Sequence, residues 1–310
     1  MSPGTAREQG PAEMHFAIRY LTRYVYDADV VDNLNTLRVK PASNSRQHVD
    51  EFSIRLTPES RLHRHNDYFG TEVVEFEISR PHRELIVDVR ARVTTRAPAP
   101  APHATWESVR TPEYREAAGE FLFQTEDAPG HPVLAELIAT TSDLPDPLSL
   151  VLAVCDLIPN RFEYRRGATY VDSPLSDVLD GGAGVCQDFV HLALCVLRHH
   201  GIAARYVSGY LFITHDEHET DSAEVDTHAW IEVLLPSDGD QDHPDPVWVC
   251  ADPTNRGLAT EQHVKVGHGR HYTDVPPIKG VYRGMANSEL EARITMTRLD
   301  GSDPAGLVRS

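Results

Sequence analysis

The stretch Asp180-Gly181-Gly182-Ala183-Gly184-Val185-Cys186-Gln187-Asp188-Phe189 constrains this chain more than any other. Its glycines can take the positive φ angles of a tight turn, and the residues after it carry a helical period. Val185, Phe189, Leu192, Val196 and His199 recur at steps of four and three, and Gly201 stands where a glycine ends a helix. Cys186 therefore falls in the first turn of an apolar helix. There the unpaired backbone N–H groups and the positive end of the helix dipole favour an anion, here the nucleophilic thiolate.

A lone cysteine among apolar residues is more often a small buried hydrophobe, so its context decides. Downstream, Asp226-Thr227-His228-Ala229-Trp230-Ile231-Glu232-Val233 alternates as a strand with a histidine near its head. Trp248-Val249-Cys250-Ala251-Asp252-Pro253-Thr254-Asn255 is a short strand ending in aspartate. Cys, His and Asp arrive in that order, each at the edge of a regular element. A thiolate attacks a carbonyl carbon, an imidazole stabilises it as an ion pair and protonates the leaving amine, and a carboxylate fixes the imidazole's tautomer. Cys186, His228 and Asp252 are the candidate catalytic residues. The backbone N–H of Cys186 is placed to be one oxyanion donor, and nothing in the sequence identifies the second.

These residues resemble the transglutaminase-like superfamily of papain-fold cysteine enzymes, in the bacterial subgroup that carries its own N-terminal β domain. The resemblance rests on GVCQDFVHL at 184–192, GIAARYVSGYL at 201–211, THAW at 227–230, DPTN at 252–255 and GRHYTDVPPIKGVYRG at 269–284. In the last of these the subgroup usually has aspartate in place of His271. The similarity runs from about residue 15 to 284. It implies cysteine-dependent acyl transfer or hydrolysis on a carboxamide or peptide bond through a thioester. The partners it implies are a protein or peptide substrate and, for a transferase, a small amine acceptor. A cysteine protease or amidase of the same fold is the alternative. A non-catalytic peptide-binding module is a further one, which the intact Cys186, His228 and Asp252 disfavour. No metal or other cofactor is required by this chemistry. Some superfamily members use calcium, but no D-x-D-x-D-G loop occurs here.

At 310 residues the chain exceeds what one core usually serves, so two domains are expected. Residues 1–13 read as a disordered leader. From Met14 onward Phe16, Ile18 and Tyr20 alternate, and further strand patterns cover 51–56, 72–78 and 85–94. Together they predict an all-β sandwich or barrel over 14–95, read as a packing scaffold ahead of substrate presentation or dimerisation. A proline-alanine linker follows at 96–105. The fold class is then α+β, with a papain-like core over 106–290 and a tail at 291–310. Helical patterns lie around 132–141 and 148–158, an extended piece at Phe162-Glu163-Tyr164, and a helix start at Ser173-Pro174 with proline at the first helical position. Strands at 203–212, 228–235 and 247–251 are predicted to form an antiparallel sheet against the Cys186 helix.

The net charge of −18 has the wrong sign for a general binder of nucleic acid or anionic membranes, and no apolar run approaches a membrane span. The start MSPGTAREQGPAEMH shows no apolar signal-peptide core, so a cytoplasmic, reduced protein is expected. Cys155, Cys186, Cys195 and Cys250 are read as thiols, with Cys186 alone reactive. His215, Asp216, His218, Glu219 and Asp221 lack the spacing of a helical metal motif and read as an exposed loop. The acidic insertions at 215–226 and 237–245 are candidates for a cleft rim favouring cationic substrates. His263, His268 and His271 gain no role from spacing alone. Oligomeric state is not encoded in any pattern found.

Overall fold

The computed structural model describes residues 13–125, 130–213, 222–238 and 245–300. Its longest strand, β1 (Glu13–Leu37), runs well past the alternation that predicts it. The register shifts between Val25 and Val30 and again between Val31 and Leu34, where Asp32 takes φ 47°. These irregularities bend the strand, so its two halves serve different neighbours. β2 (Gln47–Thr57), β3 (His63–Asn66), β4 (Glu72–Ile78) and β5 (His82–Arg96) complete the N-terminal strands. The first half of β1 pairs antiparallel with β5, and the second half pairs with β4.

Helices α1 (Pro112–Ala118), α2 (Pro132–Thr140) and α3 (Pro147–Arg161) open the core, each with proline in its first turn. There follow β6 (Glu163–Tyr164), α4 (Leu175–Gly181), β7 (Ala183–Gly184), α5 (Cys186–His199) and β8 (Ala204–Leu211). Pro174 is the N-cap of α4 rather than its first helical residue, so this helix begins one position later than its sequence predicts. The remaining strands are β9 (Ser222–Val225), β10 (Thr227–Leu235), β11 (Val247–Asp252), β12 (Gly257–Leu258), β13 (His263–Gly269), β14 (Ile278–Arg283) and β15 (Ser288–Leu299). Among the described residues no helix is long and apolar enough to cross a membrane.

The expected antiparallel sheet is present, in the order β12-β11-β10-β8-β13. Ala229, Ile231 and Val233 of β10 pack with α3 and α5 in one core, where Phe189, Leu192 and Val196 of α5 are buried. From the same sheet, Tyr210, Val264 and Val266 enter the core of the N-terminal strands beside Phe16 and Val89. One sheet thus serves two cores, and the N-terminal β region and the α+β core are packed against each other.

The C-terminal stretch departs from expectation. Residues 291–299, predicted as a tail, belong to β15, which pairs with β1 from His15↔Leu299 to Tyr26↔Ser288. β14 also pairs with β1, so the chain returns to the first sheet after completing the second. Part of the first acidic insertion is likewise not a loop, because β9 adds to β15 at the sheet edge.

Between the two cores lies a buried ion cluster. Glu232 Oε2 accepts from Arg205 Nε at 2.7 Å and from Lys265 Nζ at 2.6 Å, and its side chain is 7% exposed. Burial opposes its charge, but the two cations hold the carboxyl far below its usual range. Removing the single anion leaves two largely buried cations uncompensated, their side chains 13% and 12% exposed. Glu232→Gln is expected to cost about 3–5 kcal/mol of stability, read as a lowered denaturation midpoint. An unchanged midpoint would show that solvent already compensates these charges.

Candidate active site

The helix start is built by contacts that the glycine turn makes possible. Gly182 carries the positive φ of the turn, 67°, and caps α4. Gly184 is required for space: a Cβ there would lie 2.8 Å from Asp188 Oδ2. Asp188, the third residue of α5, reaches back to accept the Val185 N–H at 2.8 Å and the Thr169 hydroxyl at 2.5 Å. Valine has no side-chain acceptor to reciprocate, so this is one half of a capping box. It fixes Cys186 as the first residue of α5, partly exposed.

Parallel pairing of β6 with β7 brings Tyr164 to the same place. Glu163 N–H donates to Gly182 O and Arg165 N–H to Gly184 O, both at 2.9 Å. The Tyr164 phenol is raised above its ordinary range, first by burial and then by the charge of Cys186. Across the rim Arg166 pairs with Asp226 at 2.6 Å, so this part of the expected acidic edge is neutralised. The histidine-rich stretch at 215–221 lies outside the described residues, as do 239–244 of the second acidic insertion.

Cys186, His228 and Asp252 meet at the end of the core sheet. His228 Nε2 lies 2.7 Å from Asp252 Oδ2, and Cys186 lies near enough to the same imidazole to raise its pKa. Nε2 being taken by the carboxylate, Nδ1 is the ring nitrogen left for the thiol. Burial alone lowers the His228 pKa. The bond to Asp252 and the charges of Asp252 and the neighbouring Cys186 outweigh it and push the value up to about 10.

Asp252 is fully buried and surrounded by donors. Oδ1 accepts the backbone N–H groups of Thr254 at 2.8 Å and Asn255 at 3.1 Å; Oδ2 accepts Asn255 Nδ2 at 2.7 Å in addition to His228. A fifth contact comes from His263, whose Nε2 lies 3.1 Å from Oδ2. Burial resists ionisation of Asp252, but these donors hold it well below the usual carboxylate range. No spacing signal in the sequence pointed to His263.

His228, Asp252 and His263 are close enough together to hold a metal ion, with ligand atoms within 4.8 Å of one another. Hydrogen bonding argues for protons instead. His263 Nδ1 accepts the Thr260 N–H at 3.1 Å, which leaves the neutral ring's proton on Nε2, facing Asp252. A metal at Nε2 would have to displace that proton and the donors already on the carboxylate.

The other thiols are differently placed. Cys155, Cys195 and Cys250 are buried. Burial, followed by the nearby Glu232 charge, pushes Cys250 up to about 12. Burial also raises Cys155. His271 packs against His191 of α5 with ring centroids 4.2 Å apart and planes tilted by 44°, and His268 is lowered to about 3 by burial and by Lys265 and Arg205.

Comparison with known proteins agrees with this architecture. Residues 16–94 match the bacterial transglutaminase-like N-terminal region, and residues 136–253 match the transglutaminase-like superfamily. An uncharacterized protein of Mycobacterium leprae is 35% identical over 279 residues, covering 90% of this chain and 96% of that one. An uncharacterized protein of Mycobacterium tuberculosis is 28% identical over 297 residues, covering 92% and 93%. A solved structure described as a "Putative Cysteine Protease from Cytophaga hutchinsonii" superposes with a TM-score of 0.72 at 23% identity, covering 93% of this chain and 92% of the other. With a bacterial N-terminal β region, a core carrying the cysteine at a helix start, and a relative similar along nearly its whole length, the chain belongs to the transglutaminase-like superfamily.

Proposed function

We propose that this chain is a cysteine-dependent acyl-transfer enzyme acting on a carboxamide or peptide bond. The observation that carries the reading is the placement of His228 between Cys186 and Asp252, with the imidazolium favoured. In the first half-reaction the Cys186 thiolate adds to the carbonyl carbon and the carbonyl π electrons move to oxygen. The backbone N–H of Cys186 donates to that oxyanion, and the Tyr164 hydroxyl is the candidate second donor. Collapse expels the nitrogen, which takes its proton from His228 and leaves as ammonia or an amine, giving a thioester on Cys186.

Neutral His228 then takes a proton from water or an incoming amine as it attacks the thioester, and the Cys186 thiolate departs. Asp252 stays ionised throughout and orients the ring. No step calls for a metal or cofactor. The substrate is a protein or peptide, with a small amine as acceptor in the transferase arm. Four thiols without a disulfide suit a reduced, cytoplasmic setting.

The test is incubation of the purified protein with a peptide library, with and without a primary amine, read by mass. Loss of ammonia with gain of an amine marks a transferase. Gain of water with a new N-terminus marks a peptidase, and exchange of ammonia for water marks an amidase. Binding without any mass change would support the non-catalytic alternative.

A further inference from the structure

We propose that His263 is a positioning residue for the Cys186–His228–Asp252 site, and that the N-terminal β region takes part in the reaction by holding it. This rests on the acyl-transfer reading of that site and extends it to the first 100 residues, whose own side chains show no catalytic spacing.

His263 begins β13 and is 9% exposed. Its ring is locked on both sides. Thr260 N–H donates to Nδ1 at 3.1 Å, while Nε2–H faces the same Asp252 oxygen that His228 uses. Trp230 meets the ring edge-on at 5.3 Å between centroids. The charged or titratable groups acting on it are Asp252, His228 and Arg46. Burial keeps the ring below its ordinary pKa, so it acts as a neutral donor. It thereby restrains the carboxylate in the orientation that receives His228.

The segment around His263 is held from the N-terminal region. Thr95 Oγ1 donates to Glu261 O at 2.6 Å, and Arg46 Nη2 donates to Thr260 O at 3.3 Å. Gln47 brackets Lys265, donating from Nε2 to its carbonyl at 2.7 Å and accepting its N–H on Oε1 at 2.8 Å. Val264 is fully buried in the N-terminal core. The hydrogen bonds between the two regions thus grip residues on both sides of His263, and through it reach Asp252. A shift of β2 or β5 would be felt at His228 by way of two hydrogen bonds.

The test uses iodoacetamide at pH 6, which alkylates Cys186 without needing a known substrate, on His263→Leu, His263→Gln and Thr95→Val after their folding is checked by thermal melting. His263→Leu removes the donor and keeps apolar bulk. It is expected to slow Cys186 alkylation about ten- to a hundredfold, the range seen when an outer hydrogen-bond partner of a site is lost. The rate should also turn steeply pH-dependent. His263→Gln restores an N–H near Asp252 and should recover most of the rate. Thr95→Val, which cuts one link between the regions, should give a smaller loss in the same direction.

A merely structural role would lower the melting temperature and leave the pH profile where it was. A folded His263→Leu protein with the wild-type profile overturns the proposal. If His263→Leu does not fold, wild-type behaviour in Thr95→Val, or a folded His263→Gln that alkylates far more slowly than wild type, overturns it. Should wild-type Cys186 itself show no enhanced reactivity at pH 6, the acyl-transfer reading fails instead, and the two failures are distinguished.

Discussion

Cys186→Ala is expected to abolish turnover and any covalent acyl adduct while leaving the fold intact. The proposed thioester requires a nucleophile at this helix start. The other three cysteines are buried, and Cys155 and Cys250 are pushed away from the thiolate form. Alanine is the best helix former, and Cys186 is partly exposed, so little packing is lost. Turnover should fall by on the order of 10⁴ or more, the scale on which loss of a triad nucleophile is felt. Intact-mass measurement after incubation with substrate reads the adduct directly. A folded Cys186→Ala protein that retains full turnover would place the nucleophile elsewhere.

Asp252→Asn should be nearly as damaging, and for a reason visible in its donors. Oδ1 faces two backbone N–H groups, so an asparagine would keep its oxygen there and turn its amide nitrogen toward His228, His263 and Asn255. To accept from that amide, His228 must give up the proton on Nε2 and carry it on Nδ1, facing Cys186, where it can no longer take a proton. In a serine protease the equivalent change of tautomer costs about 10⁴ in turnover, and a similar loss is expected here.

The same substitution has a signature in stability. The raised His228 contributes stability that is fully present below its ordinary value of 6.5 and is lost as pH climbs through about 10. The depressed Asp252 contributes stability that is present above 3.8 and is lost as pH falls below it. Melting temperatures of wild type and Asp252→Asn should therefore lie farthest apart between about pH 4 and 6.5 and converge toward pH 10. A gap independent of pH would show that the two groups are not coupled in the folded state.

Cys186, His228 and Asp252, which the fold brings together, could be picked out as candidates from the sequence because each sits where a regular element begins or ends, and such ends are marked by period and glycine. His263 could not. Its contact with Asp252 spans 11 positions and depends on a turn at Thr260 that no local pattern announces. Tyr164 was legible as extended backbone, but its place beside Cys186 follows from a two-residue parallel pairing with β7. The β region was recognised by alternation, yet the second half of β1 escaped because Asp27, Asp29 and Asp32 interrupt the apolar pattern at the bend. β15 escaped for a related reason: of its 12 residues only Ile294 and Met296 are buried, too few to set a period.

The role assigned to Cys186 is tested most directly by the rate of its alkylation with iodoacetamide from pH 5 to pH 9, in wild type and in His228→Ala. An ordinary thiol, titrating near 8.5, loses reactivity about tenfold for each pH unit below that value. With imidazolium at His228 and carboxylate at Asp252, wild-type Cys186 should lose reactivity less steeply than an ordinary thiol as pH falls, and His228→Ala should restore the ordinary slope. The same steep slope in wild type and variant alike would contradict an activated cysteine at this site.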